Sequence, residues 1–187
     1  MTIRSFFAVD IDDKTITREL TKIQNDLNVP NSRLTFVTPE NFHFTLKFLG
    51  NIEEAIVPEL QSRAEQVQFS PFEIEIEGLG CLPGFHYINV VYADVTKGVA
   101  NLELLSKKME EVCVGMDVKP RRRAFKSHLT VARVKRIQNR NLLVEKIKQH
   151  VTKRFGAMTV RSFKLKKSVR TPDGPIYTNL FEVKATK

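Results

Sequence analysis

The sequence has 187 residues, of which 42% are hydrophobic and 27% charged, and this composition suits a globular protein with one substantial core. No apolar run approaches the roughly 20 residues that a membrane-spanning helix needs, so we expect no membrane association. The net charge of +9 favours an anionic partner such as nucleic acid. Cys81 and Cys113 fit no metal-binding spacing, and we expect unpaired thiols in a cytoplasmic protein.

A strand and a helix are predicted at the start of the chain. Residues 3–9 are apolar over a length that suits a strand and is too short for a signal peptide. The segment 10–13 follows with acidic residues that can cap a helix, and Ile16 and Leu20 then begin an apolar repeat at helical spacing. We expect this helix to end at Pro30.

The segment 42–49 alternates between apolar and polar residues, which predicts a strand with two different faces. One face carries Phe44, Leu46 and Phe48, and the other carries His43, Thr45 and Lys47. We therefore expect Phe48 to lie in the core. Farther along, the pattern predicts a helix over 53–67, a half-exposed strand over 72–77, a turn at 83–84 and a strand over 87–95.

The second half of the chain repeats this order. The predicted elements are a helix over 99–112, a strand over 127–134, a helix over 139–151, and strands over 157–169 and 176–183 joined by a turn at 171–175. In each half a His-x-Thr strand is followed by a helix, a strand, a turn and a strand. The two histidines, His43 and His128, are 85 residues apart. That offset is too long for a solenoid repeat and suits two similar lobes.

We therefore expect a single α+β domain over 1–187. It should consist of two interleaved lobes, related by an approximate two-fold axis, and each lobe should carry one His-x-Thr motif. Their sheets should be mainly antiparallel, because short turns join the later strands. The helices should lie outside, and a central cleft should lie between the lobes.

The two His-x-Thr motifs supply the side chains that are suited to catalysis. His43 with Thr45, and His128 with Thr130, place an imidazole and a hydroxyl on the same face of a strand. If the two faces meet across a cleft, one imidazole can accept a proton from water while the other donates one to a leaving oxygen. The hydroxyls can bind the non-bridging oxygens of a phosphate. The pattern therefore predicts acid–base catalysis on a phosphate ester.

Basic residues are concentrated around the second motif, since 119–136 contains eight lysines and arginines and no acid. We expect Arg133 to clamp the phosphate, because a guanidinium can bind two of its oxygens at once. The run 121–123, including Arg123, together with Lys126, is expected to contact the RNA backbone. Phe125 is the candidate for stacking on a base.

Zinc is the competing interpretation of the histidines, and it normally needs three or four protein ligands. The remaining histidines, His86 and His150, lie in no ligand spacing, and no carboxylate adjoins either motif. We therefore expect neither a metal nor another cofactor.

The segments that contain His43 with Thr45 and His128 with Thr130 resemble the paired His-x-Thr signatures of the 2H phosphoesterase superfamily. More narrowly, the chain is similar to the bacterial and archaeal RNA 2′,3′-cyclic phosphodiesterases, formerly called 2′-5′ RNA ligases. The resemblance covers nearly the whole chain and rests on residues 3–9, 38–50, 128–134 and 174–177. Members often have proline before the second histidine, and this chain has Ser127 there.

The resemblance implies hydrolysis of a 2′,3′-cyclic phosphate at an RNA 3′ end to a 2′-phosphomonoester. It implies that His43 donates a proton to the departing 3′ oxygen and that His128 accepts one from water. Thr45, Thr130 and Arg133 would hold the phosphate. One chain suffices for such a cleft, so we expect a monomer without an obligatory protein partner.

Two other functions stay open at this point. The first is a 2′-5′ RNA ligase, which would have to draw on the cyclic phosphate itself, because the sequence has no nucleotide-activation motif such as a P-loop. The second is a non-catalytic RNA-binding module, which would bind with a steep salt dependence and without turnover.

Overall fold

A computed structural model describes residues 1–121, 124–172 and 174–186. Within these ranges the chain forms four α-helices and nine strands. The strands are β1 Thr2–Asp10, β2 Arg33–Phe36, β3 His43–Glu53, β4 Phe72–Gly84, β5 Tyr87–Lys97, β6 Leu129–Arg136, β7 Arg154–Val160, β8 Ser162–Thr171 and β9 Gly174–Lys184. The helices are α1 Lys14–Asp26, α2 Val57–Ala64, α3 Val99–Val112 and α4 Arg140–Lys148.

All nine strands belong to one curled antiparallel sheet, in the order β7-β4-β5-β6-β3-β1-β8-β9, with β2 also paired to β6. The middle of the sheet lies between β6 and β3. One arm runs outward from β6 through β5 and β4 to β7, and the other from β3 through β1 and β8 to β9. Each arm mixes strands from both halves of the chain. The expected α+β fold with a mainly antiparallel sheet is confirmed.

The helices cover one face of this sheet and enclose the core. Helix α1 packs against β6 and β7, α4 against β4, and α3 against β3. The Asp13 carboxylate caps α1 by accepting hydrogen bonds from the backbone N–H groups of Thr15 and Ile16. Phe7 on β1 and Phe44 on β3 are completely buried beneath the helices. The opposite face of the sheet is therefore left to form the cleft.

A β-bulge in β3 overturns one expectation from the sequence. Phe7 on β1 pairs with Lys47, whereas the next residue, Ala8, pairs with Thr45, so Leu46 is an extra residue on β3. An extra residue inverts the alternation that follows it. Phe48 is therefore 57% exposed and lies on the same face as Thr45. The expectation that Phe48 is a core residue is wrong.

Polar groups outside the strand hold this bulge in place. The carbonyl of Leu46 accepts hydrogen bonds from the Ser106 hydroxyl, at 2.7 Å, and from the Arg121 guanidinium. The bulge also buries the side chain of Lys47, whose ammonium donates to the Glu110 carboxylate at 2.6 Å. A buried ammonium without such a partner would be strongly destabilising. Helix α3, which carries Ser106 and Glu110, thus fixes the shape of β3.

Two expected boundaries are corrected, and one strand was missed. The predicted strand 157–169 is two strands that separate at Arg161, because β7 pairs with β4 whereas β8 pairs with β1. The turn expected at 83–84 lies at 85–86, since β4 continues through Gly84. Strand β2 was not expected at all.

Candidate active site

The open face of the sheet forms a cleft of about 520 Å³. Five of the residues singled out from the sequence line it together, namely His43, Thr45, His128, Thr130 and Arg133. One wall is the β2 edge with the segment that follows it, and the other is the tip of the β8–β9 hairpin. The cleft is therefore centred where the two arms of the sheet meet.

The two His-x-Thr motifs are brought together by one pair of residues. Phe44 on β3 pairs with Leu129 on β6 in antiparallel orientation. Extended by one residue on either side, that register sets His43 against Thr130 and Thr45 against His128. Neighbours of a paired residue point to the opposite face, so all four polar side chains face the cleft while the central pair faces the core.

Both histidines make the same backbone contact. His43 Nδ1 lies 2.7 Å from the carbonyl of Asn41, and His128 Nδ1 lies 2.7 Å from the carbonyl of Lys126. A carbonyl oxygen only accepts, so each Nδ1 carries the hydrogen and donates it. In the neutral ring, Nε2 is then an acceptor, and in the protonated ring it is a donor. Each imidazole can therefore exchange a proton through Nε2.

The surroundings hold both imidazoles in the neutral form. Burial lowers the pKa of His43 to about 4, and the nearby charge of Lys166 acts in the same direction, while the Asn41 carbonyl and Asp10 oppose it. Burial also lowers the pKa of His128, assisted by the charges of Lys126 and Arg133. A bound phosphate anion would raise both values, because it favours the charged imidazolium.

Aromatic rings surround the first histidine. The ring centroid of Phe6 lies 5.0 Å from that of His43, and the Tyr177 ring meets His43 edge-on at 5.3 Å. Phe6 also contacts Phe48, at 5.8 Å. Phe48 and Tyr177 line the cleft and were not among the expected site residues. Tyr177 lies within residues 174–177, one of the segments on which the family resemblance rests. That resemblance was the signal in the sequence that could have identified Tyr177 as a site residue.

Lys126 lies behind the second histidine and does not line the cleft. Its ammonium donates to the Tyr92 hydroxyl at 2.6 Å, and the Tyr92 ring meets His128 edge-on at 5.8 Å. Its carbonyl accepts from His128, as described above. Gly80 leaves room for the Tyr92 ring, because a Cβ at position 80 would lie 2.5 Å from ring atoms. Lys126 therefore contacts both Tyr92 and His128, and the contact with RNA expected of it stays a prediction.

Phe125 and Arg121 pack against other parts of the protein, and the expected stacking of a base on Phe125 stays a prediction. Phe125 is half-buried against the core, with the Arg121 guanidinium 5.3 Å from its ring centroid, and it does not line the cleft. Arg121 itself points inward to Leu46, Ser106 and Glu110. It is therefore a structural residue. Arg123, the remaining expected RNA contact, lies with Arg122 outside the described residues.

Two general features bear on the function. Among the described residues there is no group of three or more His, Cys, Asp or Glu side chains placed to hold a metal ion. In the same part of the chain, no helix combines the length and the apolar character that a membrane span requires.

Comparisons with known proteins show what family and fold this chain is similar to. The family described as LigT-like phosphoesterase matches residues 9–92 and again 94–177. An RNA 2′,3′-cyclic phosphodiesterase of Methanothermobacter thermautotrophicus is 37% identical, with 96% of this chain and 97% of the relative covered. A crystal structure from Thermus thermophilus has a TM-score of 0.82 at 24% identity, covering 97% of each chain. Escherichia coli LigT complexed with 3′-AMP has a TM-score of 0.80 at 19% identity, covering 100% of both.

Proposed function

Because the chain belongs to the LigT-like phosphoesterase family, we propose that it is an RNA 2′,3′-cyclic phosphodiesterase that leaves a 2′-phosphomonoester. The observation that carries this proposal is the arrangement of two Nδ1-anchored histidines over one cleft, each beside a threonine of the other motif. Such an arrangement supplies an acid and a base to a single phosphorus atom. The names of the curated relatives support the same reaction.

The proposed reaction uses the two imidazoles in opposite senses. Water attacks the phosphorus and gives a proton to Nε2 of His128. The bond between phosphorus and the 3′ oxygen breaks, and that oxygen takes a proton from Nε2 of His43. Each proton transfer contributes roughly 10²–10⁴ in rate. After product release, a proton moves through solvent from His128 to His43, and the cycle is complete.

The remaining polar groups of the cleft would hold the phosphate. The Arg133 guanidinium and the hydroxyls of Thr45 and Thr130 can donate to the non-bridging oxygens, where negative charge must be stabilised. Arg133 is exposed on β6 and faces the cleft, so it can reach an entering anion. The exposed ring of Phe48 offers a surface for the terminal base, a role that the sequence had suggested for Phe125.

Substrate binding also supplies the protonation state that the reaction needs. Both histidines are held neutral by burial and neighbouring cations. The negative charge of a cyclic phosphate counteracts these cations and favours one imidazolium. We propose that His43 becomes protonated in this way. The chemistry as written needs no metal ion or organic cofactor.

We further propose that the protein acts as a monomer in the cytoplasm. The two motifs that form the cleft come from one chain. Both cysteines are buried free thiols, and this fits a reducing compartment. Size-exclusion chromatography with light scattering tests the oligomeric state. A dimer at micromolar concentration would contradict it.

The decisive experiment offers the protein an RNA oligonucleotide that ends in a 2′,3′-cyclic phosphate, in the presence of EDTA. The expected product is a 2′-phosphate, without the 3′ isomer. His43→Ala and His128→Ala should each lose turnover by at least about a hundredfold. His86→Ala changes an exposed histidine of the β4–β5 turn and serves as the matched control.

The same assay separates the alternatives. Equal rates in the wild type and both histidine variants would refute the proposal, and a requirement for metal would refute its metal-free form. If an added RNA with a 5′-hydroxyl is joined faster than the cyclic phosphate is hydrolysed, the protein is a ligase. Salt-dependent binding without any turnover would identify a binding module.

A further inference from the structure

A buried charged cluster lies behind the first histidine and takes no part in the reaction as described so far. The Asp10 carboxylate on β1 accepts hydrogen bonds from Lys166 at 2.6 Å and from Lys164 at 3.0 Å. Lys166 is only 4% exposed. Burying an ammonium is unfavourable unless a partner compensates for the lost hydration, and Asp10 is that partner.

This cluster is continuous with His43. Asp10 pairs with His43 across β1 and β3, so carboxylate and imidazole belong to adjacent positions of the sheet. Lys166 pairs with Phe6 across β1 and β8, and the Phe6 ring contacts His43. Both charges act on the imidazole: Lys166 lowers the pKa of His43 and Asp10 raises it. Among the described residues, the other titratable groups facing His43 are Arg133 on β6 and Tyr177 on β9.

The second His-x-Thr motif has a carboxylate in the corresponding place, but no lysine in the described part of the chain binds that carboxylate. Val9 pairs with Phe44 in the first motif, and Ala93 pairs with Leu129 in the second, so Asp94 corresponds to Asp10. The Asp94 carboxylate accepts a hydrogen bond from the neighbouring backbone N–H of Val95 at 2.9 Å. Within the described ranges it forms no ion pair with a lysine or arginine.

The two histidines, similar in their backbone contacts, therefore differ in their charged surroundings. His43 has a buried ammonium behind it that is clamped by a carboxylate. His128 has the Tyr92 ring beside it and the more exposed Lys126, whose ammonium donates to the Tyr92 hydroxyl. A site built on an approximate two-fold axis needs some such difference, because its two imidazoles must do opposite things.

We propose that Lys166 and Asp10 are positioning residues that make the two histidines unequal, and that the Lys166 ammonium assigns the role of proton donor to His43. The proposal rests on the proposed function. A cation close to an imidazolium makes it a stronger acid, and a stronger acid transfers its proton more readily to a departing oxygen. Asp10 holds the cation at a fixed place, so that His43 can still be protonated when the phosphate binds.

The test compares three variants by NMR titration of the imidazole resonances and by the pH dependence of kcat/KM. Lys166→Met should raise the pKa of His43 by on the order of one pH unit, because the neighbouring cation is lost. Asp10→Asn should lower it further, since it leaves the cation uncompensated. Lys164→Met is the matched control, because Lys164 also binds Asp10 but is exposed to a greater degree and, unlike Lys166, is not among the charges that shift the pKa of His43.

The pH profile of kcat/KM should follow these shifts. The limb assigned to His43 should move toward higher pH in Lys166→Met and toward lower pH in Asp10→Asn. In both, the titration of His128 should stay close to that of the wild type. If burial of an unpaired group prevents either variant from folding, the double substitution removes the pair together. Its His43 should then titrate above that of the wild type, because the Lys166 charge acts on His43 more strongly than the Asp10 charge does.

The proposal would be overturned if the pKa of His43 moved in the same direction in both single variants. Equal shifts of His128, or loss of thermal stability without any change in either titration, would overturn it too. The titration needs no turnover. A wild-type protein that failed to hydrolyse a cyclic phosphate would therefore refute the proposed function and leave this measurement readable.

Discussion

Phe44 and Leu129, the central residues of the two His-x-Thr motifs, pair with each other across the middle of the sheet, and neither is exposed. This single apolar pair sets the distance and the register of the four polar side chains on its other face. Core packing and active-site geometry are therefore specified at the same two positions.

Leu129→Ala should accordingly impair both stability and catalysis. Removing a completely buried leucine side chain costs about 2–5 kcal/mol in the free energy of unfolding. Turnover of the fraction that stays folded should also fall, because the register between the motifs relaxes. Urea denaturation and single-turnover rates measure the two effects. Val169→Ala, at a site that is 46% exposed, is the control and should leave both nearly unchanged.

The pH dependence of kcat/KM should be bell-shaped, with its maximum on the acidic side of neutrality. This profile reports the ionisation of the free protein, in which the pKa of His43 lies at about 4 and that of His128 below its ordinary value. One imidazole must be charged and the other neutral, so the singly protonated protein, in which a bound phosphate then favours charged His43, is most populated between these values. A maximum above pH 7 would contradict the electrostatic description of the cleft.

Phe48→Ala should weaken substrate binding with little effect on stability. The side chain is 57% exposed and lines the cleft, so its removal should change the free energy of unfolding by no more than about 0.5 kcal/mol. Loss of a stacking surface should raise KM by roughly tenfold. Leu104→Ala, at a 54% exposed position of α3, is the matched control. A core role for Phe48 would instead appear as a large loss of stability.

Lys126→Met and Tyr92→Phe should reduce kcat by a similar factor, and the double variant should be no worse than either. Both changes break the same contact, between the Lys126 ammonium and the Tyr92 hydroxyl. Effects on one interaction are not additive in a double-mutant cycle. If Lys126 contacted the RNA, its variant would instead raise KM and weaken the salt dependence of binding, and Tyr92→Phe would not share that behaviour.

Stability should fall as the pH is lowered through the range in which His43 titrates. The ordinary pKa of 6.5 applies to the unfolded chain and a value of about 4 to the folded one, so the unfolded chain binds more protons between these limits. His43 should contribute at most about 3 kcal/mol of loss there and nothing further below it. His43→Leu should flatten the slope, leaving the smaller contribution of His128, which has the same sign.

A separate loss of stability should follow at lower pH. Burial alone would raise the pKa of Asp10, but Lys166 and Lys164 outweigh it and hold that pKa below 3.8. The contribution of Asp10 is therefore present above this value and disappears as the pH falls through the lowered one. Asp10→Asn should remove this step and extend the His43 step to lower pH, because it also lowers the pKa of His43. Urea denaturation at a series of pH values measures both.

The elements with a clear period were predictable from the sequence. The helical spacing that starts at Ile16 predicted α1, and the range 99–112 matches α3. The two motif strands were also confirmed, because alternation over several residues indicates a two-faced strand. Features decided by tertiary pairing were not predictable. The alternation runs on through Arg161, so nothing local separates β7 from β8, and β2 is only four residues long.

The candidate site was predictable where a residue type is itself informative. His43, His128 and Arg133 carry chemistry in any setting, and they line the cleft together. Side-chain directions were not predictable, and Phe48 was placed wrongly for that reason. The bulge turns Phe48 outward, and a contact with Tyr92 engages the ammonium of Lys126 behind the site. Neither a bulge nor a long-range side-chain contact leaves a trace in the local pattern.

The order of strands has a consequence for how this protein is made. Strands β8 and β9 come at the end of the described chain, yet they complete the arm that begins with β1. Tyr177, and with it one wall of the cleft, therefore joins the fold only after the ribosome has synthesised the seven strands that precede this hairpin. Pairing between such distant segments makes folding slow compared with that of helical proteins of the same size. A nascent chain should have no catalytic activity until the β8–β9 hairpin has left the ribosome. Neither half of the chain should be active when expressed alone.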